Sequence, residues 1–502
     1  MTELVPRIVT SLPGRTLRET SEQIRVAHAA GADLAEVRFD RWSAEERGRA
    51  AELFPSPLPL LATLRSRAEG GAGPDAVAER ARELERLAAL PFDGIDLEAS
   101  RDRELLGRLP PSHPRWRVLS VHVGDGAAVA DVARALREEA PAGTVRKVVV
   151  PASVHAALRE LLPSLPPAGD GPRVLLTTGP SGPLLRAWSA RLEFPLVFAS
   201  LPAERRAVDG PPVEPSQVPT DRMRSFLDGG PNAPMFAIVG RPVAHSQSPY
   251  LHARWMRATG RHGLYVPLEI EDESEFVESL PALAEGGFRG VNVTHPWKAA
   301  AIAAADRVGR AAELCGAANC LTFAEGGTEA DNTDLAAVLR RLEEYRAQGV
   351  WSGRELIVVG AGGAAAASVV AARDLGAHAF VTARDRTRGR ALADRLGASW
   401  LGPEEYRPFD LAIHATPVGR ADAGDLELPL GALLARGSRL LDWVYAPDRS
   451  LVRDAAEATG ARYEDGWRLL VYQAAASFGI WWDAEPSGSE LDATIEEGPC
   501  AG

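Results

Sequence analysis

From Arg7 to Asp228 the chain repeats one unit, a short apolar run followed by an amphipathic stretch of helical period. The runs are Ile8 to Leu12, Leu34 to Phe39, Leu58 to Leu64, Gly94 to Leu97, Val118 to His122, Val145 to Val150, Val174 to Thr177 and Leu196 to Ala199. Helical patterns such as Leu17 to Ala30 and Ala76 to Leu90 separate them. Strands buried on both faces read as continuous apolar runs, so eight strand-helix units in sequence predict a closed parallel barrel. The chemistry of such a barrel gathers at the carboxyl ends of its strands. Polar residues stand at those ends: Ser11, Glu36, Arg38, Arg65, Glu98, His122, and Lys147, which opens the run Val148 to Val150.

Beyond Asp228 the rhythm changes. The stretch 229–234, Gly-Gly-Pro-Asn-Ala-Pro, reads as a linker. Residues 235–334 alternate strand and helix, and an amphipathic helix from Leu335 to Gln348 leads into a further part, 335–465. There the apolar run Leu356 to Val359 meets Gly360-Ala361-Gly362-Gly363-Ala364. A buried strand, a glycine turn and a helix amino terminus together cradle a pyrophosphate, since the turn offers unpaired N–H groups and the helix its dipole. Residues 466–484 form a helix expected to return to the 235–334 part, and the acidic tail 485–502 is expected to be disordered. The fold class is α/β throughout: a (β/α)8 TIM barrel (1–228), an α/β substrate domain and a Rossmann-type dinucleotide-binding domain.

Charge and cysteine usage narrow the chemistry. With 56 Lys and Arg against 68 Asp and Glu, the net charge of −12 argues against a nucleic-acid partner. Three cysteines, Cys315, Cys320 and Cys500, make neither a disulfide framework nor a metal-type pair, which fits a reducing compartment. His245, His252 and His262 are too loosely placed for metal ligands, and no metal is expected. No apolar run reaches membrane length, and Met1 to Thr10 has no leader pattern, so a cytoplasmic chain with no membrane partner is expected. The oligomeric state is not legible.

Particular residues then stand out. Lys147 should point into the barrel or be excluded from it; inside, desolvation favours the free amine that attacks a ketone. His122, one strand away, would shuttle protons, and Arg65 and Arg186 would fork onto a carboxylate. In the second half, Asn292-Val293-Thr294-His295-Pro296-Trp297-Lys298 follows a strand-like stretch. Pro296 suits a first helical position with Thr294 or His295 as cap, which sets Lys298 in the first turn and in need of a carboxylate, Asp334. After the next strand, Ala379 to Thr382, an NAD site would place an acid; Arg384 and Arg388 here favour the 2′-phosphate of NADP.

Two families are resembled. Glu36-Val37-Arg38-Phe39-Asp40, Ala62 to Gly71, Ser120-Val121-His122 and the Lys147 strand resemble type I 3-dehydroquinate dehydratase over about Pro6 to Leu227. The resemblance implies that Lys147 forms a Schiff base with the substrate ketone, that His122 moves the protons, and that Glu69 orients His122. It also implies that Ser11, Glu36, Arg38, Arg65 and Arg186 hold hydroxyls and carboxylate. The sequence departs at the lid: the family's Ala-Pro-Gly-Gln loop and preceding serine have no counterpart in Arg205 to Pro212, Leu185 replaces a serine before Arg186, and Val123 an aspartate after His122. From about Pro234 to Trp482, Gly240 to Pro249, Gly316 to Asn319, Lys298 with Asp334, and Leu469 to Ala474 resemble shikimate dehydrogenase. That resemblance implies a proton relay by Lys298 and Asp334. Ser246, Ser248, Thr294, Asn319, Tyr445 and Gln473 would bind the substrate, and Thr416, Trp443 and Gly466 would line the nicotinamide. Asp385 stands where the family has threonine after Arg384, and Cys320 where it has threonine after Asn319. The implied whole is a bifunctional shikimate-pathway enzyme using NADP(H), with 3-dehydroquinate and 3-dehydroshikimate or shikimate as small-molecule partners. Alternatives are a shikimate or quinate dehydrogenase with a weak or inactive barrel, and a non-catalytic sensor of quinate-like ligands.

Overall fold

The computed structural model describes residues 5–110, 113–124, 126, 128–137, 139–205, 209, 211–418, 430–445 and 451–499. Eight parallel strands open the chain: β1 (Arg7–Leu12), β2 (Leu34–Arg38), β3 (Leu60–Thr63), β4 (Gly94–Glu98), β5 (Trp116–His122), β6 (Thr144–Pro151), β7 (Arg173–Thr178) and β8 (Leu196–Ala199). Their order is β7-β6-β5-β4-β3-β2-β1-β8, so sequence neighbours pair and β1 also pairs with β8; the barrel is nearly closed. Register aligns the chemistry: Ser11 pairs with Glu36, Arg38 with Thr63, and Ser120 with Lys147. Ala62, Ile95, Leu97 and Leu119 are among the apolar residues buried with the helices, as the continuous runs require.

By contact density the chain divides into two compact units, Met1–Ser246 with Gly260–Phe288 and Cys500–Gly502, and Gln247–Thr259 with Arg289–Pro499. The expected linker 229–234 thus lies inside the first unit, which also holds the parallel pair β9 (Met235–Gly240) and β10 (Leu264–Glu269). Packing explains this. Trp188, after the seventh barrel strand, stacks edge-on against Phe288, and an added Cβ on Gly286 would meet its ring at 1.9 Å.

The second unit begins its sheet structure with β11 (Phe288–Val293), β12 (Arg307–Val308), β13 (Cys320–Ala324) and β14 (Gly327–Asp331), where β13 pairs antiparallel with β11 and β14, and β12 parallel with β14. A parallel sheet follows, built from β15 (Glu355–Val359), β16 (His378–Thr382), β17 (Ser399–Trp400), β18 (Leu411–His414), β19 (Arg439–Asp442) and β20 (Arg462–Glu464). Its order β17-β16-β15-β18-β19-β20 reverses beside β15, and the crevice at such a reversal is where open α/β sheets bind ligands. The glycine turn follows β15, at that point. No helix among the described residues is long and apolar enough to cross a membrane.

The tail departs from expectation. Residues Gly488–Glu497 are helical, capped by the Ser487 hydroxyl, with Leu491 and Thr494 buried. Composition suggested disorder, but Arg254 reaches Glu490 and Glu497, and the Trp467 indole donates to the Thr494 carbonyl at 3.3 Å, so partners distant in sequence hold the segment. Leu491→Ala is expected to lower stability by about 2–3 kcal/mol, read as an earlier urea midpoint of the second unit. An unchanged midpoint would mean the helix does not dock.

Candidate active sites

In the barrel, alternation along β4 turns both Asp96 and Glu98 away from water; they are 3% and 2% exposed. Asp96 carries the site. The Lys147 ammonium from β6 pairs with its Oδ2, and the Ser120 hydroxyl from β5 donates to its Oδ1. The face of Phe198 lies 4.3 Å from Lys147 Nζ. Burial works to raise the Asp96 carboxyl, but Lys147 and Arg65 outweigh it and hold it below the usual carboxylate range. The expectation of a lone desolvated amine is therefore corrected: Lys147 is buried as one member of an ion pair.

His122 ends β5. Glu69, in the turn after β3, accepts its backbone N–H at 3.0 Å and stands 3.3 Å from its ring Nδ1. Burial, then the positive charges of Arg65, Lys147 and Arg38, hold the imidazole well below its ordinary range, so the ring is neutral at neutral pH. Burial and the neighbouring Glu98 raise the Glu69 carboxyl.

Opposite lies a row of neutral donors on one acid. The Ser11 hydroxyl donates to Glu36 Oε2 at 2.6 Å and Thr63 to Oε1 at 2.9 Å, while Gln217 Nε2 donates to Ser11 at 3.0 Å. Gln217 corrects the reading of the lid. The segment Glu214-Pro215-Ser216-Gln217 keeps the proline and glutamine of the family loop, a few residues beyond Arg205 to Pro212, part of which lies outside the described residues. Proline two residues ahead of a glutamine was the signal. The preceding serine has no counterpart in Pro211-Pro212-Val213.

Two arginines differ from each other and from expectation. Arg38 is locked onto Asp40 by two bonds of 2.8 Å. Arg186 spends Nε on the Phe198 carbonyl and Nη1 on those of Thr177 and Gly182, and burial pulls it down to about 10. A two-pronged grip on a carboxylate by Arg186 is thereby ruled out in this conformation. Arg65, 5% exposed and 3.5 Å from Glu98, keeps more of its fork available.

The second unit places Lys298 as the first residue of the helix Lys298–Ala303, with Trp297 as cap and no side-chain cap bond. Pro296 therefore precedes the helix rather than opening it, and neither Thr294 nor His295 caps it, because Pro296 and Trp297 form a turn closed by the Trp297 N–H on the Thr294 carbonyl at 3.0 Å. Lys298 nevertheless meets Asp334, which lies in the first turn of the helix Thr333–Ala347 capped by Asn332. Asn319 joins them: its amide donates to Asp334 Oδ1 at 2.8 Å, to Thr333 at 3.0 Å and to Gln473 Oε1 at 3.3 Å. Behind it Asn292, Thr333 and Ser477 form a buried hydroxyl and amide cluster that the sequence did not single out. Ser248 opens the helix Ser248–Ala258 and is buried, and the Tyr445 hydroxyl accepts the Gln247 N–H at 3.4 Å. Ser246, which closes a turn with Val243, belongs to the first unit.

The glycine turn is shaped for close approach. Gly360 sits at φ +137°, and an added Cβ would meet the Ala415 carbonyl at 2.5 Å. A Cβ on Gly363 would reach Lys298 Cδ at 3.2 Å, whereas Gly362, the cap of the helix Gly363–Asp374, faces open space. Ala361 completes the turn and Ala364, in the first helical turn, accepts from Ser368. Ser368 in turn accepts from the Trp443 indole at 3.1 Å, and a Cβ on Gly466 would meet the Trp443 carbonyl at 2.3 Å. Arg384 and Arg388 are both exposed beyond β16. Asp385 between them caps the helix Arg386–Leu396 by accepting the Arg388 N–H at 3.0 Å, which gives this departure from the family pattern a structural role.

A parallel barrel with a buried amine at its strand ends, followed by a dinucleotide-type sheet with a lysine–carboxylate pair near its glycine turn, defines a two-site α/β enzyme. The profile of type I 3-dehydroquinase matches residues 8–229, and that of the shikimate dehydrogenase substrate binding domain residues 238–321. Shikimate dehydrogenase (NADP(+)) of Acidiphilium cryptum is 40% identical over 261 residues, 51% of this chain and 92% of the relative. That of Dinoroseobacter shibae is 38% identical over 263 residues, 50% and 93%. A crystal structure of shikimate 5-dehydrogenase from Thermus thermophilus in complex with NADP(H) and shikimate matches 53% of this chain and 99% of its own, at 32% identity and a TM-score of 0.47. The chain belongs to the shikimate dehydrogenase family and carries a type I 3-dehydroquinase domain ahead of that half.

The His122 ring is expected to titrate well below the ordinary imidazole value of about 6.5, followed by its NMR shifts against pH. Arg65→Ala should move that titration upward by removing a nearby positive charge. An ordinary titration in the unaltered chain would contradict the site's electrostatics.

Proposed function

We propose that the barrel dehydrates 3-dehydroquinate through a Schiff base and that the second half reduces the resulting 3-dehydroshikimate to shikimate with NADPH. The observation that carries this reading is that each half sets one lysine against one buried carboxylate, Lys147 on Asp96 and Lys298 on Asp334.

In the barrel, Asp96 is the nearest base to Lys147 and takes the proton that frees its amine. The amine adds to the ketone carbon, and the carbonyl oxygen leaves as water with one proton from the amine nitrogen and one returned by Asp96, to give an iminium whose charge the regenerated Asp96 carboxylate balances. That cation draws electrons from the adjacent C–H. Neutral His122 removes this proton, the β-hydroxyl departs as water with a proton returned to it, and hydrolysis regenerates Lys147. Glu69 holds His122, Arg65 meets the carboxylate, and Ser11, Glu36 and Gln217 take hydroxyls.

In the second half the residues fit a dinucleotide: a glycine turn with open space at Gly362 and a twelve-residue helix behind it. Arg384 and Arg388 would hold the 2′-phosphate, with Thr416, Trp443 and Gly466 on the nicotinamide side. NADPH when bound supplies the hydride that reaches the carbonyl carbon. Lys298 gives its proton to the oxygen, and Asp334 holds and recharges the lysine. Asn319, Gln473, Ser248, Thr294 and Tyr445 would orient the carboxylate and hydroxyls.

With full-length protein, 3-dehydroquinate alone should produce the absorbance of a conjugated enone, and NADPH should then be consumed. Lys147→Ala is expected to abolish enone formation and borohydride trapping of substrate while leaving reduction of added 3-dehydroshikimate intact. Lys298→Ala should do the reverse, lowering reduction by about 10²–10⁴-fold. Enone formation that survives Lys147→Ala would refute the Schiff-base assignment, and reduction without dehydration in the unaltered chain would leave a dehydrogenase with an idle barrel.

A further inference from the structure

His414 ends β18 with its side chain fully buried, and no step above uses it. It links two loops. Its Nδ1 lies 2.8 Å from Asp442 Oδ1 and its Nε2 2.6 Å from Thr416 Oγ1. Asp442, equally buried, also accepts the Val444 N–H on Oδ1 and the Tyr463 hydroxyl on Oδ2, each at 3.0 Å. A carboxylate surrounded by donors acts as an acceptor, so Nδ1 of His414 carries a proton. In a neutral imidazole Nε2 is then an acceptor, and the Thr416 hydroxyl must donate to it. Thr416 Oγ1 also receives the Val418 N–H at 3.2 Å. Among the described residues one lone pair of this oxygen is left unused, on a partly exposed residue beside the glycine turn: the methyl of Thr416 is 3.4 Å from where a Cβ on Gly360 would stand.

We propose that His414, held by Asp442, is a positioning residue for the dehydrogenase: it turns the Thr416 proton inward, so that Thr416 offers the dinucleotide an acceptor for an N–H of the nicotinamide carboxamide. The inference rests on the reading above that Thr416 lines the nicotinamide side.

The test measures dissociation constants of NADP+ and of its 3-acetylpyridine analogue, in which a methyl replaces the carboxamide NH2. Both are titrated into full-length protein by quenching of its tryptophan fluorescence, at a pH well above the imidazole range of about 6.5. The unaltered chain should bind the analogue about fivefold more weakly, the worth of one neutral hydrogen bond. Thr416→Val should bind the two alike, Thr416→Ser should restore the difference, and His414→Asn should narrow it by releasing the hydroxyl. A purely structural role would lower the melting temperature of these variants and leave the ratio intact. A folded Thr416→Val that keeps the fivefold ratio overturns the inference, and it decides the matter even where His414→Asn fails to fold. Equal binding of both dinucleotides by the unaltered chain overturns the inference alone. Binding of neither overturns the dehydrogenase reading and the inference with it.

Discussion

An ammonium withdrawn from water is stable only beside a carboxylate, and both halves of this chain are arranged around such a pair. Removing one partner of a buried pair costs about 3–5 kcal/mol, so the buried Lys147 is tied to Asp96 as firmly as any core contact, while Lys298 keeps part of its side chain in solvent. In the barrel the acid is Asp96, whose position depends on β4 pairing in register with β5, which brings Ser120 and, through it, Lys147 of β6 alongside. In the second unit the acid is Asp334, at the first turn of a helix whose start Asn332 caps. On the proposed reading the reactive carbon comes to these two places, with the remaining polar side chains distributed around them.

On the proposed reading the same residue pairing serves two kinds of chemistry because the surroundings differ. Lys147 is 3% exposed, lies under Phe198 and has a neutral imidazole close by. Those conditions suit a nucleophile and a separate proton carrier. Lys298 has a side chain 21% exposed, stands at a helix start and has Asn319 bridging to its carboxylate. An accessible lysine with a relayed proton suits an acid that acts once and is recharged. Close packing constrains the glycine turn: a side chain at Gly360 would run into the Ala415 carbonyl, and one at Gly363 would press on Ala317 and Lys298.

Much of this was legible in the chain. The barrel followed from eight apolar runs, and Lys147, His122, Lys298 and Asp334 stood out by residue type at strand ends and helix starts. Asp96 was passed over inside an apolar run, although an acid at 96 with another at 98 marks one face of a strand. Gln217 stands beyond Arg205 to Pro212, the stretch in which the family pattern places the lid glutamine. The tail was read from composition, which carries no information about Arg254 and Trp467 waiting for it. Arg186 spends Nε and Nη1 on three backbone carbonyls, partners that its place in the sequence does not show.

The sequence by itself determined the strand and helix succession, the glycine turn and the types of residue at the strand ends, because periodicity, turn geometry and helix capping act over a few residues. Tertiary structure decided the partnerships: Asp96 with Lys147, Gln217 with Ser11 across 206 positions, and Thr416 with His414 and Asp442. These depend on sheet register and on which group burial leaves without water, and neither is a local property of the chain.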